Sequence, residues 1–132
     1  MPDTGSLSED LVVLLGETYR VMTDGDGRVL EQLVRQSGQH PELVDLVRTV
    51  LYARRRLSAT TLNRAIARGE MAPDIDQELL LDLLLGPLWF RLLVSGAPIT
   101  PDQARSLVEL VLDGALPRRP RPSGGRASKR SR

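Results

Sequence analysis

Apolar side chains recur along this chain at spacings of three and four, the period of helices that bury one face. Leu7, Leu11, Leu14, Leu15, Tyr19 and Met22 form the first such stripe. Ser6-Leu7-Ser8-Glu9 ahead of it fits a capping box, in which the Ser6 hydroxyl takes the Glu9 amide and the Glu9 carboxylate returns to the Ser6 amide. Thr23-Asp24-Gly25-Asp26-Gly27 breaks the run, so the spacing predicts a first helix over 7–22. A second helix, over 27–37, offers Val29, Leu30, Leu33 and Val34 as its buried side and stops at Gly38, which suits a left-handed cap. Pro41 opens a third, where Leu43, Leu46, Val47, Val50, Leu57, Leu62, Ala65 and Ile66 continue the period as far as Gly69, another candidate cap. No Gly or Pro divides 41–68, and periodicity alone leaves open one long helix or two joined near Tyr52 to Arg54.

The stretch from Asp76 to Val94, DQELLLDLLLGPLWFRLLV, departs from the single-stripe pattern. Its apolar residues surround the helix axis, so it must be covered on nearly all sides. A membrane span is a weak reading, because Asp82, Pro87 and Arg91 cut the run into pieces well short of the roughly 20 apolar residues a bilayer requires. The expectation is a helix held between its own domain and a second copy of the chain. Pro87 should kink it, and Gly86 should let another backbone approach. Asp74 and Asp76 are available as caps. Ile99-Thr100-Pro101-Asp102-Gln103 then carries a staple residue, an N-cap, a first-turn Pro, an acid and a Gln that completes the box. The last helix, 101–113, places Ala104, Leu107, Val108, Val111 and Leu112 on one face and ends at Gly114. The fold class is therefore all-α, with one helical domain over 1–116.

Composition changes this picture in two places. Hydrophobic residues make up 41% of the chain but aromatic ones only 3%, a palette of packed helices. Seven of the 18 basic residues lie in the tail at 117–132, which has no acid, so residues 1–116 hold 11 bases against all 17 acids. The acidic body is a poor nucleic-acid binder. The tail, PRRPRPSGGRASKRSR, has no apolar period and is expected to be disordered; its functional reading is weak, non-specific attraction to DNA phosphates. Met1 is followed by polar PDTGS, with no signal peptide or spanning segment, so a cytoplasmic protein is expected, without membrane partners.

Few enzyme chemistries survive the residue inventory. There is no Cys and only His40, so thiolate or imidazole metal sites and nucleophilic triads are hard to assemble, and no catalytic residue, metal or cofactor is expected. Asp24-Gly25-Asp26-Gly27 looks like half a calcium loop without its later ligands, and reads as a turn. Arg54-Arg55-Arg56 spreads around a helix rather than converging on a phosphate; one of the three should turn inward, where it could pair with an acidic ligand group.

The ordered set PDTGSLSEDL, HPELVDLVR, ARGEMAPDIDQELLLDLLLGPLWFRLLVSGAPIT and LVELVLDG resembles the C-terminal regulatory domain of TetR-type transcriptional repressors, in the subgroup with a GPLYYRLLVTGEP-like central helix. The resemblance covers about residues 2–114. It implies a homodimer whose last two long helices, here 76–94 and 101–113, form a four-helix bundle with the partner. Leu80, Leu84, Leu88, Leu107, Val108 and Val111 would carry that interface. It also implies a pocket for a small-molecule effector among the helices at 7–22, 41–68 and the inner side of 76–94. Tyr19, Met22, Tyr52, Trp89, Phe90 and Arg91 are the candidate ligand-binding residues, although any one of them at helical spacing is also ordinary core. In the family, ligand binding shifts two N-terminal helix-turn-helix domains and releases DNA. Those domains are missing from these 132 residues; a fragment, a start assigned too late or a natural loss would each account for that. The function implied is control of transcription in response to a small molecule. The alternative is a stand-alone module that heterodimerises with a full-length relative and poisons its DNA binding.

Overall fold

The computed structural model describes residues 2–113, and every regular element among them is helical. The helices are α1 (Leu7–Thr23), α2 (Gly25–Ser37), α3 (Pro41–Ala67), α4 (Gln77–Phe90) and α5 (Pro101–Asp113), with a π-helical turn, Arg91–Ser95, extending α4. The basic tail and the stop at Gly114 lie outside the described residues. No described helix is long and apolar enough to cross a membrane.

α1 is the hub. It touches α2, α3, α4 and α5, while α2 packs on α3, α3 on α4, and α4 on α5. Its stripe puts Leu7, Leu11, Leu14, Leu15 and Met22 in the core, and Tyr19 lies half-buried against it. Leu62 and Ala65 come from α3, Leu81, Leu84 and Leu88 from α4, and Ala104 and Val108 from α5. Each fully buried leucine contributes about 1.5–3 kcal/mol by leaving water. The predicted faces are narrower than expected in two helices: Val29 on α2, and Leu46 and Leu57 on α3, are exposed and not buried.

Local signals explain most boundaries. Thr100 and Gln103 form the reciprocal box at the start of α5: Gln103 N–H donates to Thr100 Oγ1 at 3.2 Å, and Thr100 N–H to Gln103 Oε1 at 3.1 Å. Asp76 Oδ1 accepts from Leu79 N–H at 3.0 Å and starts α4. Gly69, at φ +75°, caps α3 in the left-handed region. α3 is one helix of 27 residues, which resolves the open alternative.

Four expectations change. α2 begins at Gly25 rather than 27, so Asp24 alone separates it from α1. Gly38 has φ −66°, an ordinary right-handed value, and is no left-handed cap. Ser6 Oγ does accept from Glu9 N–H, at 3.5 Å, but the Glu9 carboxylate does not return the bond. It holds Arg105 of α5 at 2.6 and 3.1 Å instead, a bidentate ion pair that outcompetes a bond to one amide. Arg105 accordingly lowers the Glu9 carboxyl below its ordinary value, chiefly by hydrogen bonding. Finally, nothing lies within 4 Å of a Cβ built on Gly86, so no backbone of the protomer approaches it.

The N-terminal segment is pinned by a buried carboxylate. Asp10 is fully buried and accepts from Thr4 N–H at 2.6 Å, the Thr4 hydroxyl at 2.8 Å and Arg68 Nη2 at 3.3 Å. Burial alone, the largest influence, would raise its pKa, but the three donors together hold it below the usual carboxylate value. Arg68 also binds Glu70, whose Oε1 accepts the Leu7 N–H at 3.2 Å, closing the end of α3 onto the start of α1.

Two tests follow. A depressed folded pKa means that Asp10 stabilises the fold above its unfolded value of about 3.9, and that this is lost as pH falls through the folded value. Urea midpoints measured down the acid limb should therefore fall less steeply in Asp10→Asn, which should also be less stable at neutral pH. At the α1–α2 turn, a Cβ on Gly27 would collide with the Val21 and Met22 carbonyls, whereas one on Gly25 would meet nothing. Gly27→Ala should lose about 1–3 kcal/mol by overpacking, while Gly25→Ala should be neutral or gain a few tenths.

Candidate functional site

α3 and α4 are held in register by polar pairs along their shared edge. Gln77 Nε2 donates to Asn63 Oδ1 at 3.1 Å, and Arg55 reaches Glu78 at 2.5 Å and also Asp82. The helices are thus clasped near the start of α4. Beyond Asp82 they enclose with α1 a cavity of about 340 Å³. From α1 it receives Leu14, Glu17, Val21 and Met22, and from α2 Leu30. α3 contributes Leu51, Arg54, Arg55 and Ser58; α4 contributes Asp82, Leu85, Gly86 and Trp89. The walls are largely aliphatic with a few polar groups, the character of a small-molecule site.

Sequence reasoning places two of its six candidate ligand residues here: Met22 and Trp89 line the cavity. Tyr19 turns into the core beside it and is not part of the wall. Tyr52 is 60% exposed on the far side of α3. Phe90 and Arg91 border a separate surface hollow with Gly86, Pro87, Ser95 and Ala97. There Arg91 Nη1 donates to the Pro98 carbonyl at 2.7 Å and to Gln103 Oε1 at 3.3 Å, which ties the end of α4 to the start of α5. The reason is helical phase: Phe90 and Arg91 follow Trp89 by 100° and 200° and leave its face.

The same phase identifies residues that the aromatic criterion missed. Leu85 and Asp82 precede Trp89 by four and seven positions and share its stripe. Of the arginine triplet, Arg55 is the one turned inward, with 22% of its side chain exposed. Its partners are Glu78 and Asp82 of the chain itself. Arg54, also of the triplet, lines the cavity while exposed, and Glu17 beside it had no marker in the sequence beyond its charge.

Helical phase also decides where the expected interface residues sit within the protomer. Leu80, Leu84, Leu88 and Val108 are buried in the protomer's own core, and Leu107 and Val111 lie half-buried against it. The outward face of α4 is one position away: Leu79 and Leu83 are 55% and 53% exposed, Phe90 59%, and Leu110 of α5 57%. The helix that encircles itself with apolar residues thus has an inner face, a cavity face and an uncovered outer face. Gly86 lines both the cavity and the hollow on the outer side.

Residues 1–111 match the family described as tetracyclin repressor-like, C-terminal domain. The chain is 33% identical over 109 residues to the HTH-type transcriptional regulator YdeS of Bacillus subtilis, covering 82% of this chain and 55% of that protein. It is 30% identical over 118 residues to the HTH-type regulator Rv1556 of Mycobacterium tuberculosis, covering 89% and 58%. The chain therefore spans little more than half the length of these relatives. Among solved structures it is similar to the TetR family transcription regulator SCO0332, with a TM-score of 0.79 and 34% identity over 88% of this chain and 65% of that one.

The two faces of α4 differ in what substitution should cost. Leu84→Ala should lower unfolding free energy by about 2–5 kcal/mol, whereas Leu83→Ala at the adjacent, exposed position should leave the protomer's own packing almost unchanged. Denaturant titration at a concentration low enough to hold both as monomers separates the two.

Proposed function

Because the chain belongs to the tetracyclin repressor-like C-terminal domain family, we propose that it is the regulatory half of a transcriptional regulator that responds to a small molecule. The observation that carries this reading is the double role of α4. Asp82, Leu85 and Trp89 wall the cavity while Leu79, Leu83 and Phe90 stand exposed on the opposite side. A ligand that binds one packing of α1, α3 and α4 better than another shifts the population of that packing. The shift is transmitted by a rigid element to whatever covers its outer face.

In this reading the cover is a second copy of the chain, seated on Leu79, Leu83, Phe90 and Leu110. DNA is contacted by a helix-turn-helix domain outside these residues, so the dimer sets the spacing of two such domains in the cytoplasm. No enzyme activity is assigned to the cavity in this reading.

Light scattering tests the pairing. The 132-residue chain should have the mass of a dimer, and Leu83→Glu should weaken it by more than about tenfold, since it buries an unpaired charge, while circular dichroism retains the helices. A monomeric parent chain, or a variant that dimerises as well as the parent, would remove the proposed interface.

A further inference from the structure

We infer that the cavity takes a compact, mostly apolar ligand that carries no charge and is held through a hydroxyl group. This rests on the reading of the cavity as the effector site and adds the chemistry of what enters it. The lining holds two carboxylates, Glu17 and Asp82, and two guanidinium groups, Arg54 and Arg55, so its formal charges balance. Glu17, Arg54 and Asp82 are exposed, and only Arg55 is largely covered. Arg55 is already held by Glu78 and Asp82. No charge on the wall is therefore both withdrawn from water and free for a ligand.

Ligands of either sign lose by this arrangement. An anion would have to draw Arg55 from two carboxylates, and a cation would have to draw Asp82 from Arg55. Glu17 and Arg54 have no side-chain partner among the described residues, but ion pairs in contact with water contribute little. A zwitterion reaching both would gain little while surrendering the hydration of two charges. Uncharged polar groups, in contrast, come from three helices. The Ser58 hydroxyl of α3 is buried and donates to the Arg54 carbonyl at 3.3 Å, which leaves it able to accept. The Thr18 hydroxyl of α1 and the Trp89 indole N–H of α4, on half-buried side chains, have no partner among the described residues and can donate. All three residues line the cavity among Leu14, Met22 and Leu85. A ligand hydroxyl both donates and accepts, so it matches this set. At about 340 Å³ the cavity lies near the small end of the roughly 300–1,000 Å³ of ligand sites, so the skeleton is compact.

Trp89 is the only tryptophan in the chain, so its fluorescence reports occupancy directly. The probes share a biphenyl skeleton: para-phenylbenzyl alcohol, para-phenylbenzoate, protonated para-phenylbenzylamine and zwitterionic para-phenylphenylalanine. With the full chain at neutral pH, the alcohol should bind about tenfold tighter than any of the other three. Ser58→Ala should weaken the alcohol about fivefold, and Thr18→Val, which keeps the side-chain shape, about threefold. Binding of either ion or of the zwitterion as tight as that of the alcohol would overturn the inference of an uncharged ligand while leaving the cavity as a ligand site. Failure of all four probes to bind would overturn the site reading, and this inference with it. A lead of the alcohol that both substitutions leave intact would overturn the assignment of the two hydroxyl groups.

Discussion

The packing of α4 against α1 and α5 is the contact on which the rest depends. Leu84 and Leu88 meet Leu11 and Leu15 of α1 and Val108 of α5 in a core that excludes water completely at these positions. Once those side chains are committed inward, the 100° step of the helix leaves no freedom in the others. Asp82, Leu85 and Trp89 must look toward α3, and Leu79, Leu83 and Phe90 must look outward. The cavity and the exposed stripe are thus consequences of one packing choice. Arg55, bridging Glu78 and Asp82, keeps α3 against α4 where the cavity begins.

The end of α4 shows how the fold adapts to that commitment. Pro87 lacks the N–H that would bond the Leu83 carbonyl, and four residues later the helix widens into a π-helical turn over Arg91–Ser95. Gly96, at φ +68°, closes it with a bond of 2.7 Å to the Arg91 carbonyl. Arg35 of α2 reaches the Leu92 carbonyl at 3.3 Å, and Arg91 ties the following strap to Gln103. The segment that leaves the cavity wall is therefore tied to both α2 and α5. A change in the packing of α4 has contacts through which to reach both neighbours.

Much of the fold was legible in the sequence because it rests on local chemistry. The Thr100–Gln103 box, the Asp76 cap and the glycine at 69 mark ends by their own hydrogen bonds or dihedrals. Where a long-range partner competes, the local sign misleads: Glu9 abandons Ser6 for Arg105, 96 residues away. The candidate site was legible only in part. An all-round apolar helix announces that it has several covered faces, but not which leucines take which face. Leu84 and Leu83 are indistinguishable until α1 and α5 are in place. Choosing pocket residues by aromatic type found Trp89 yet also gathered Tyr52 and Phe90, which stand exposed, and passed over Leu85 and Asp82 on the same stripe as Trp89.

The chain has no cysteine, so single cysteines can report which face of α4 meets a partner. The most direct measurement is cross-linking of Leu83→Cys and Leu84→Cys by a short bismaleimide, read as dimer formation under native conditions. The account predicts covalent dimer from position 83 and none from position 84. Cross-linking at 84 in preference to 83, or at neither, would mean that the outer face of α4 is not where two copies join.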